Sequence, residues 1–155
     1  MTRGFEIAKG WEDKEINLPL RKTKHAAGYD FEAAEDTLVP SFKKGVNPTL
    51  IPTGIKAYMQ DDEVLYLYNR SSNPKKKGLI LANSVGVIDK DYYNNPDNDG
   101  HIMFAFYNVK ENDIMIKKGE AVGQGVFMKY LITDDDKATA MRLGGFGSTD
   151  KKKKE

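Results

Sequence analysis

The sequence predicts an all-β sandwich or barrel, and three observations carry that prediction. Short apolar runs recur at near-regular spacing, several of them alternating with a period of two. Gly, Pro and Asn break the chain between those runs. Helical periodicity is nearly absent, and no internal repeat or linker divides the 155 residues, a length that suits one domain with a core of its own. Many short strands broken in this way fold as stacked or closed antiparallel sheets.

In chain order, Leu50–Met59 is a β run punctuated by Pro52 and Gly54, and Glu63–Tyr68 alternates in part. Gly78–Ala82 and Val85–Ile88 flank Asn83-Ser84, which reads as a hairpin. Ile102–Val109 is the strongest strand signal. Ile114–Ile116 and Ala121–Phe127 follow, separated by the polar turn Lys117–Glu120. Helix signals are few. Phe31–Asp36 is long enough for one turn, with Pro40, Pro48 and Pro52 forbidding more nearby. Thr133–Met141 opens with Thr133 and three aspartates, the pattern of a capped short helix. Gly144–Thr149 is too glycine-rich to pack a core, and Lys151–Lys154 is a solvated charge run. The expected organisation is a folded domain over 1–141 and a flexible arm with a Lys-rich tail over 142–155.

Composition narrows the chemistry. Hydrophobic residues make up 39% and charged residues 30%, too apolar for a disordered chain and too polar for a membrane protein. A net charge of +1 provides no bulk field for nucleic acid or an acidic membrane, so neither is an expected partner. With no cysteine and only His25 and His101, disulfides, thiol nucleophiles, Cys-zinc sites and three-His sites within one chain are excluded. The N-terminus carries charge where a signal peptide needs its apolar stretch, and no apolar run approaches ~20 residues, so a cytoplasmic setting is expected. Chemistry must rest on carboxylates, hydroxyls, amides and backbone.

Four constellations could supply it. In Ala26–Asp30, small residues lead to an acid, which suits either a site or an Asx-capped turn. In Asn69–Pro74, Arg70 offers a bidentate fork for phosphate, and the hydroxyls and N–H groups of Ser71 and Ser72 could complete an anion cradle; an ordinary polar strand end is the alternative. In Val87–Tyr93, Asp89 directly follows an apolar run, where desolvation can tune an acid as a general base, and Tyr92 offers a flat ring to a sugar or base; an ordinary turn aspartate after a strand is the alternative. In Gly144–Thr149, glycines around Phe146 suggest a flap closing a ring over a ligand, the alternative being a flexible tail with no function.

Taken together and in order, these residues resemble the trimeric-type dUTP pyrophosphatases (dUTPases), of the bacterial or phage branch. Five segments carry the resemblance across almost the whole chain: Ala26–Ala33 (AAGYDFEA), Asn69–Ser72 (NRSS), Asn83–Tyr92 (NSVGVIDKDY), Gly119–Phe127 (GEAVGQGVF) and Arg142–Thr149 (RLGGFGST). The third and fifth are the specific ones. The resemblance implies a β jelly-roll homotrimer, with active sites at subunit interfaces, Mg²⁺ bound with the triphosphate, and one chain's arm closing over a neighbour's site. It implies that Asp89 is the base that deprotonates the attacking water, and that Asn83 and the backbone through Val87 read the amide edge of uracil. Tyr92 would pack against deoxyribose and exclude a 2′-hydroxyl. Arg70, Ser71 and Ser72 would contact the phosphates, Gln124 would act with Asp89 by contacting the phosphates or the water, and Asp30 would lie near the metal and its waters. Phe146 would stack over uracil, with Arg142, Gly147, Ser148 and Thr149 closing on the triphosphate.

The chain departs from the family pattern in three places. Tyr93–Asp99 intervenes before Gly100, which reads as an exposed, polar insertion at a hairpin tip and a candidate surface for a regulatory protein partner. Arg142 lies four residues before Phe146 and Met141 holds the place five before, while Asp150 stands where a glycine is usual. Alternatives on the same fold are a dCTP deaminase-like enzyme, a nucleotide-responsive binding module and, from the Lys tail alone, a nucleic-acid binder.

Overall fold

In the computed structural model, which describes residues 1–145, ten strands form two four-stranded antiparallel sheets and one short two-stranded sheet. The strands are β1 (Gly4–Ile7), β2 (Tyr29–Glu32), β3 (Thr37–Val39), β4 (Thr49–Tyr58), β5 (Glu63–Tyr68), β6 (Leu79–Leu81), β7 (Gly86–Asp89), β8 (Ile102–Asn108), β9 (Ile114–Ile116) and β10 (Ala121–Lys129). One sheet runs β1-β4-β8-β6 and the other β2-β10-β5-β7, with β3 and β9 paired beside them. The order is non-sequential throughout, the mark of a jelly roll and not a meander.

Alternation builds the core. In β8, Ile102, Phe104, Phe106 and Asn108 are buried while the residues between them are half-buried. Phe104 and Phe106 meet Phe31 of β2, Ile51 of β4 and Leu65 of β5 between the sheets, with Phe31 and Phe104 5.5 Å apart. Gly123 faces Phe104 so closely that any side chain there would collide with the ring.

Four expectations are corrected. Gly78–Ala82 and Val85–Ile88 are not a hairpin, because β6 pairs with β8 and β7 with β5, in different sheets. Asn83–Val85 is instead a tight corner between sheets, held by Ser84 N–H to the Leu81 carbonyl (3.1 Å) and by Ser84 in the left-handed region. Phe31–Asp36 forms no helical turn. Phe31 is fully buried in β2, and pairing with β10 wins over local propensity. Thr133–Met141 forms only a turn, since the segment is exposed and has no surface against which a short helix could be stabilised. Segment 93–100 is not a hairpin tip, for it joins β7 of one sheet to β8 of the other and buries Asn95 and Gly100. Among the described residues no helix is long and apolar enough to cross a membrane.

Candidate active site

The site residues fall into two groups on one chain. The first surrounds β7. Among the described residues this strand is the edge of its sheet, so one side pairs with β5 (Leu67 opposite Gly86, Val64 opposite Asp89) and the other has no neighbouring strand. Gly86 must lack a side chain, because a Cβ there would lie 2.9 Å from that of Leu67. Beside it opens a cavity of about 250 Å³, lined by Asn83, Val87, Asp89, Tyr92 and Arg142 together with Met103 from β8. This is slightly below the roughly 300 Å³ at which drug-sized pockets begin, a fit for a single-ring ligand.

Tyr92 ends a 3-10 turn, Lys90–Tyr92, that follows β7 directly. Its hydroxyl points into the protein, donating to the His101 carbonyl (2.6 Å) and accepting from Asn98 Nδ2 (2.8 Å). Burial pushes its ionisation above the usual phenol range, so it stays a neutral donor. The Asp89 side chain is about half exposed, at 52%. The preceding run does not desolvate it as the sequence suggests, because Val87 faces outward and is exposed. Arg142 lies across the mouth of the cavity, 14% exposed, with Nη2 2.7 Å from Asp89 and Nε 2.7 Å from Asp91. Its guanidinium also stands 6.0 Å from the Tyr92 ring centre. Asp91 is thus a partner that sequence reasoning missed, although its place two residues after Asp89 is the only signal available. Phe146, Gly147, Ser148 and Thr149 lie outside the described residues.

The second group is Asp30, Arg70, Ser71, Ser72 and Gln124, none of which lines the cavity. Asp30 of β2, Gln124 of β10 and Tyr68 of β5 stand opposite one another in a row across the sheet. Asn69, just past β5, organises the row: its carbonyl accepts from Gln124 Nε2 (3.2 Å), its Oδ1 accepts from the Arg70 N–H (2.8 Å), and its Nδ2 donates to the Leu79 carbonyl (3.0 Å). Arg70 Nη1 donates to the Ala121 carbonyl (3.3 Å), which leaves other guanidinium donors over. Gly28 makes room for Gln124, whose Oε1 would lie 2.3 Å from a Cβ at that position.

The two groups share an outer face but not a place on it. Asp89 stands opposite Val64, four residues along β5 from Tyr68, and Gln124 is one strand further on. At ~4.8 Å between strands and ~3.3 Å per residue, their Cα atoms are about 16 Å apart, and Asp89 and Asp30 about 20 Å. Two side chains so separated cannot both reach one phosphorus. Tyr68, Val87 and Met128, exposed apolar side chains, occupy the same face between and around them.

A jelly roll with a small edge-strand cavity, an acid at its mouth and an amide-and-guanidinium row beside it is the arrangement expected of the family that the sequence resembles. The comparisons establish that family. The dUTPase family model matches residues 14–150. A deoxyuridine 5'-triphosphate nucleotidohydrolase of Lactococcus lactis subsp. lactis is 57% identical over 149 residues, 95% of this chain and 97% of that one. The crystal structure of dUTPase from Streptococcus mutans superposes with a TM-score of 0.78 at 53% identity, over 84% of this chain and 98% of that one. A D95N dUTPase from phage phi11 of S. aureus, in which a structural Mg(II) ion is coordinated, shares the fold at 16% identity and a TM-score of 0.67, over 90% of this chain and 98% of that one. The chain belongs to the dUTPase family, and its activity is the hydrolysis of dUTP.

Proposed function

We propose that this chain cleaves dUTP to dUMP and pyrophosphate by in-line attack of water at the α-phosphorus, in a homotrimer whose every site draws on more than one copy. One observation carries the reading: Asp89 and Gln124 lie too far apart on one chain to meet at a single phosphate, yet share a face with exposed Tyr68, Val87 and Met128. Covering that face with a second copy buries the apolar side chains and brings one chain's Asp89 over another's Gln124.

Within such a site, Asn83 and the free edge of β7 through Val87 take the amide edge of uracil, whose alternating acceptors and donor match strand backbone. Cytosine is rejected because its exchanged donor and acceptor would leave buried polar groups unpaired. Tyr92 lies against the sugar. Arg70, Ser71 and Ser72 hold the phosphates, and Gln124 orients them or the water. Asp89 takes the water's proton as the new P–O bond forms and the bond to the β-phosphate bridging oxygen breaks, releasing pyrophosphate. Little covalent work falls on the protein, so one carboxylate suffices as base. Arg142 must first release Asp89, and we assign it with Phe146, Gly147, Ser148 and Thr149 to the arm, 142–155, that closes the site.

Among the described residues no group of three or more His, Asp or Glu is set to hold a metal. That donor set fits a Mg²⁺ held chiefly by the triphosphate, with Asp30 reaching it through water, and not an all-protein cage. When bound, Mg²⁺ supplies positive charge at the phosphate oxygens. The nucleotide substrate favours the cytoplasm of a cell or of a virus-infected host.

The test is a nucleotide panel with a mass measurement. With Mg²⁺ the protein is expected to release pyrophosphate from dUTP and barely from dTTP, dCTP or UTP, and to run as a trimer. Ammonia release from dCTP, or a monomer with full activity, would overturn the reading.

A further inference from the structure

We propose that Asn98 is a positioning residue for Tyr92: through it, segment 93–100 holds the ring that faces the sugar and so sets discrimination between deoxyribose and ribose. The inference rests on the reading of Tyr92 given above.

Two hydrogen bonds of opposite sense hold the Tyr92 hydroxyl, one donated to the His101 carbonyl (2.6 Å) and one accepted from Asn98 Nδ2 (2.8 Å). Asn98 is itself fixed. Its Oδ1 accepts from the Gly100 N–H (3.2 Å), which can only donate, and from Asn95 Nδ2 (2.7 Å), so the amide has one orientation and its NH₂ faces the tyrosine. Asn95 is buried and closes the circuit. Its Nδ2 donates back to the Tyr92 carbonyl (2.7 Å), while its Oδ1 accepts from the Asp97 and Asn98 N–H groups (3.0 and 3.1 Å). Gly100, at φ +86°, would place a Cβ 2.7 Å from the Tyr92 carbonyl oxygen, so the circuit closes only on glycine.

The segment is anchored at both sides. Asp99 accepts from Lys56 Nζ (2.8 Å) and from the Lys9 N–H (2.8 Å), tying it to the sheet. Asp97 accepts from the Gly145 N–H (3.3 Å), tying it to the start of the arm. Tyr92 is therefore gripped at its backbone and at its hydroxyl by one loop. Burial alone keeps a ring in place, but a ring free to tilt yields to one extra oxygen. A ring pinned at its far end does not, and small displacements decide such steric rejection.

The experiment measures kcat and KM for dUTP and UTP with the wild type, Asn98→Asp, Tyr92→Phe and the double variant, each checked by thermal melting. Asn98→Asp keeps the shape and the Oδ1 acceptor but removes the donor to Tyr92. Each single variant is expected to lower the dUTP-to-UTP ratio of kcat/KM about tenfold. For Asn98→Asp the loss with dUTP should fall on KM, and the double variant should be no worse than Tyr92→Phe, which already removes the Asn98 bond together with that to His101. A ratio within twofold of wild type in folded Asn98→Asp overturns the proposal, and if that variant does not fold, an unchanged ratio in Tyr92→Phe does so. A wild type without preference for dUTP over UTP overturns the reading of the slot and this inference together, whereas an undiminished preference in both variants overturns the clamp alone.

Discussion

The slot beside β7 and the row Asp30–Gln124–Tyr68 are built by opposite means. Among the described residues one chain builds the walls of the slot: an edge strand, a corner between sheets, a buried tyrosine and a loop of amides behind it. The row is a flat stretch of sheet, its side chains held in register by Asn69 but, among the described residues, outside the cavity and without a wall opposite. A concave half recognises a ligand alone, whereas a flat half needs another surface laid on it. The difference goes with the separation of Asp89 from Gln124, about 16 Å along and across one sheet.

The largest expected effect lies in the slot. Asp89→Asn should lower kcat by about 10³-fold, the scale of a general base, with melting temperature unchanged because the side chain is half exposed. A smaller effect belongs to the row. Arg70→Ala should lower kcat/KM by about 100-fold by removing a charged phosphate contact, and Arg70→Lys should recover only part, having no fork. Smaller still, Gly28→Ala should cost about tenfold in kcat without unfolding the chain, since the new methyl meets the movable end of Gln124 and turns its amide aside. An effect of Gly28→Ala on uracil selectivity would break the division between the halves.

The smallest effect concerns the slot's support. Burial lowers the His101 imidazole to about 4, and its Nε2 accepts the Gly54 N–H (2.9 Å) beneath Trp11. The unfolded chain takes up this proton near pH 6.5, the folded one only near 4, so stability is fully present above 6.5 and declines as pH falls through that window. Melting scans should show a slope of at most about 1.4 kcal/mol per pH unit between these values. His101→Gln, which keeps an acceptor for Gly54, should remove that component.

Much of this was legible in the sequence. Glu63–Tyr68 announced itself by partial alternation and Ile102–Val109 by a nearly unbroken run of apolar residues, although only the fold shows that the second buries alternate side chains. Which strand pairs with which was not legible. Asn83-Ser84 between two apolar runs looks the same whether the chain folds back or crosses to the other sheet, and only the competition of β5 and β8 for those runs decides. The slot residues were readable because they are contiguous from Asn83 to Tyr92. Segment 93–100 misled because polar composition suggests exposure, whereas its amides satisfy one another and can be buried. The separation of Asp89 from Gln124 needed the register of three strands, which no local pattern encodes.

The most direct test of shared sites is complementation. Chains carrying Asp89→Asn and chains carrying Arg70→Ala, each expected to keep about 1% of wild-type activity or less, are coexpressed with different tags, and assemblies bearing both tags are isolated. In a mixed trimer with head-to-tail sites, one interface joins an intact Asp89 to an intact Arg70, so about one third of wild-type activity should return. Mixed assemblies of confirmed trimeric mass with no activity above that of the parents would contradict the account.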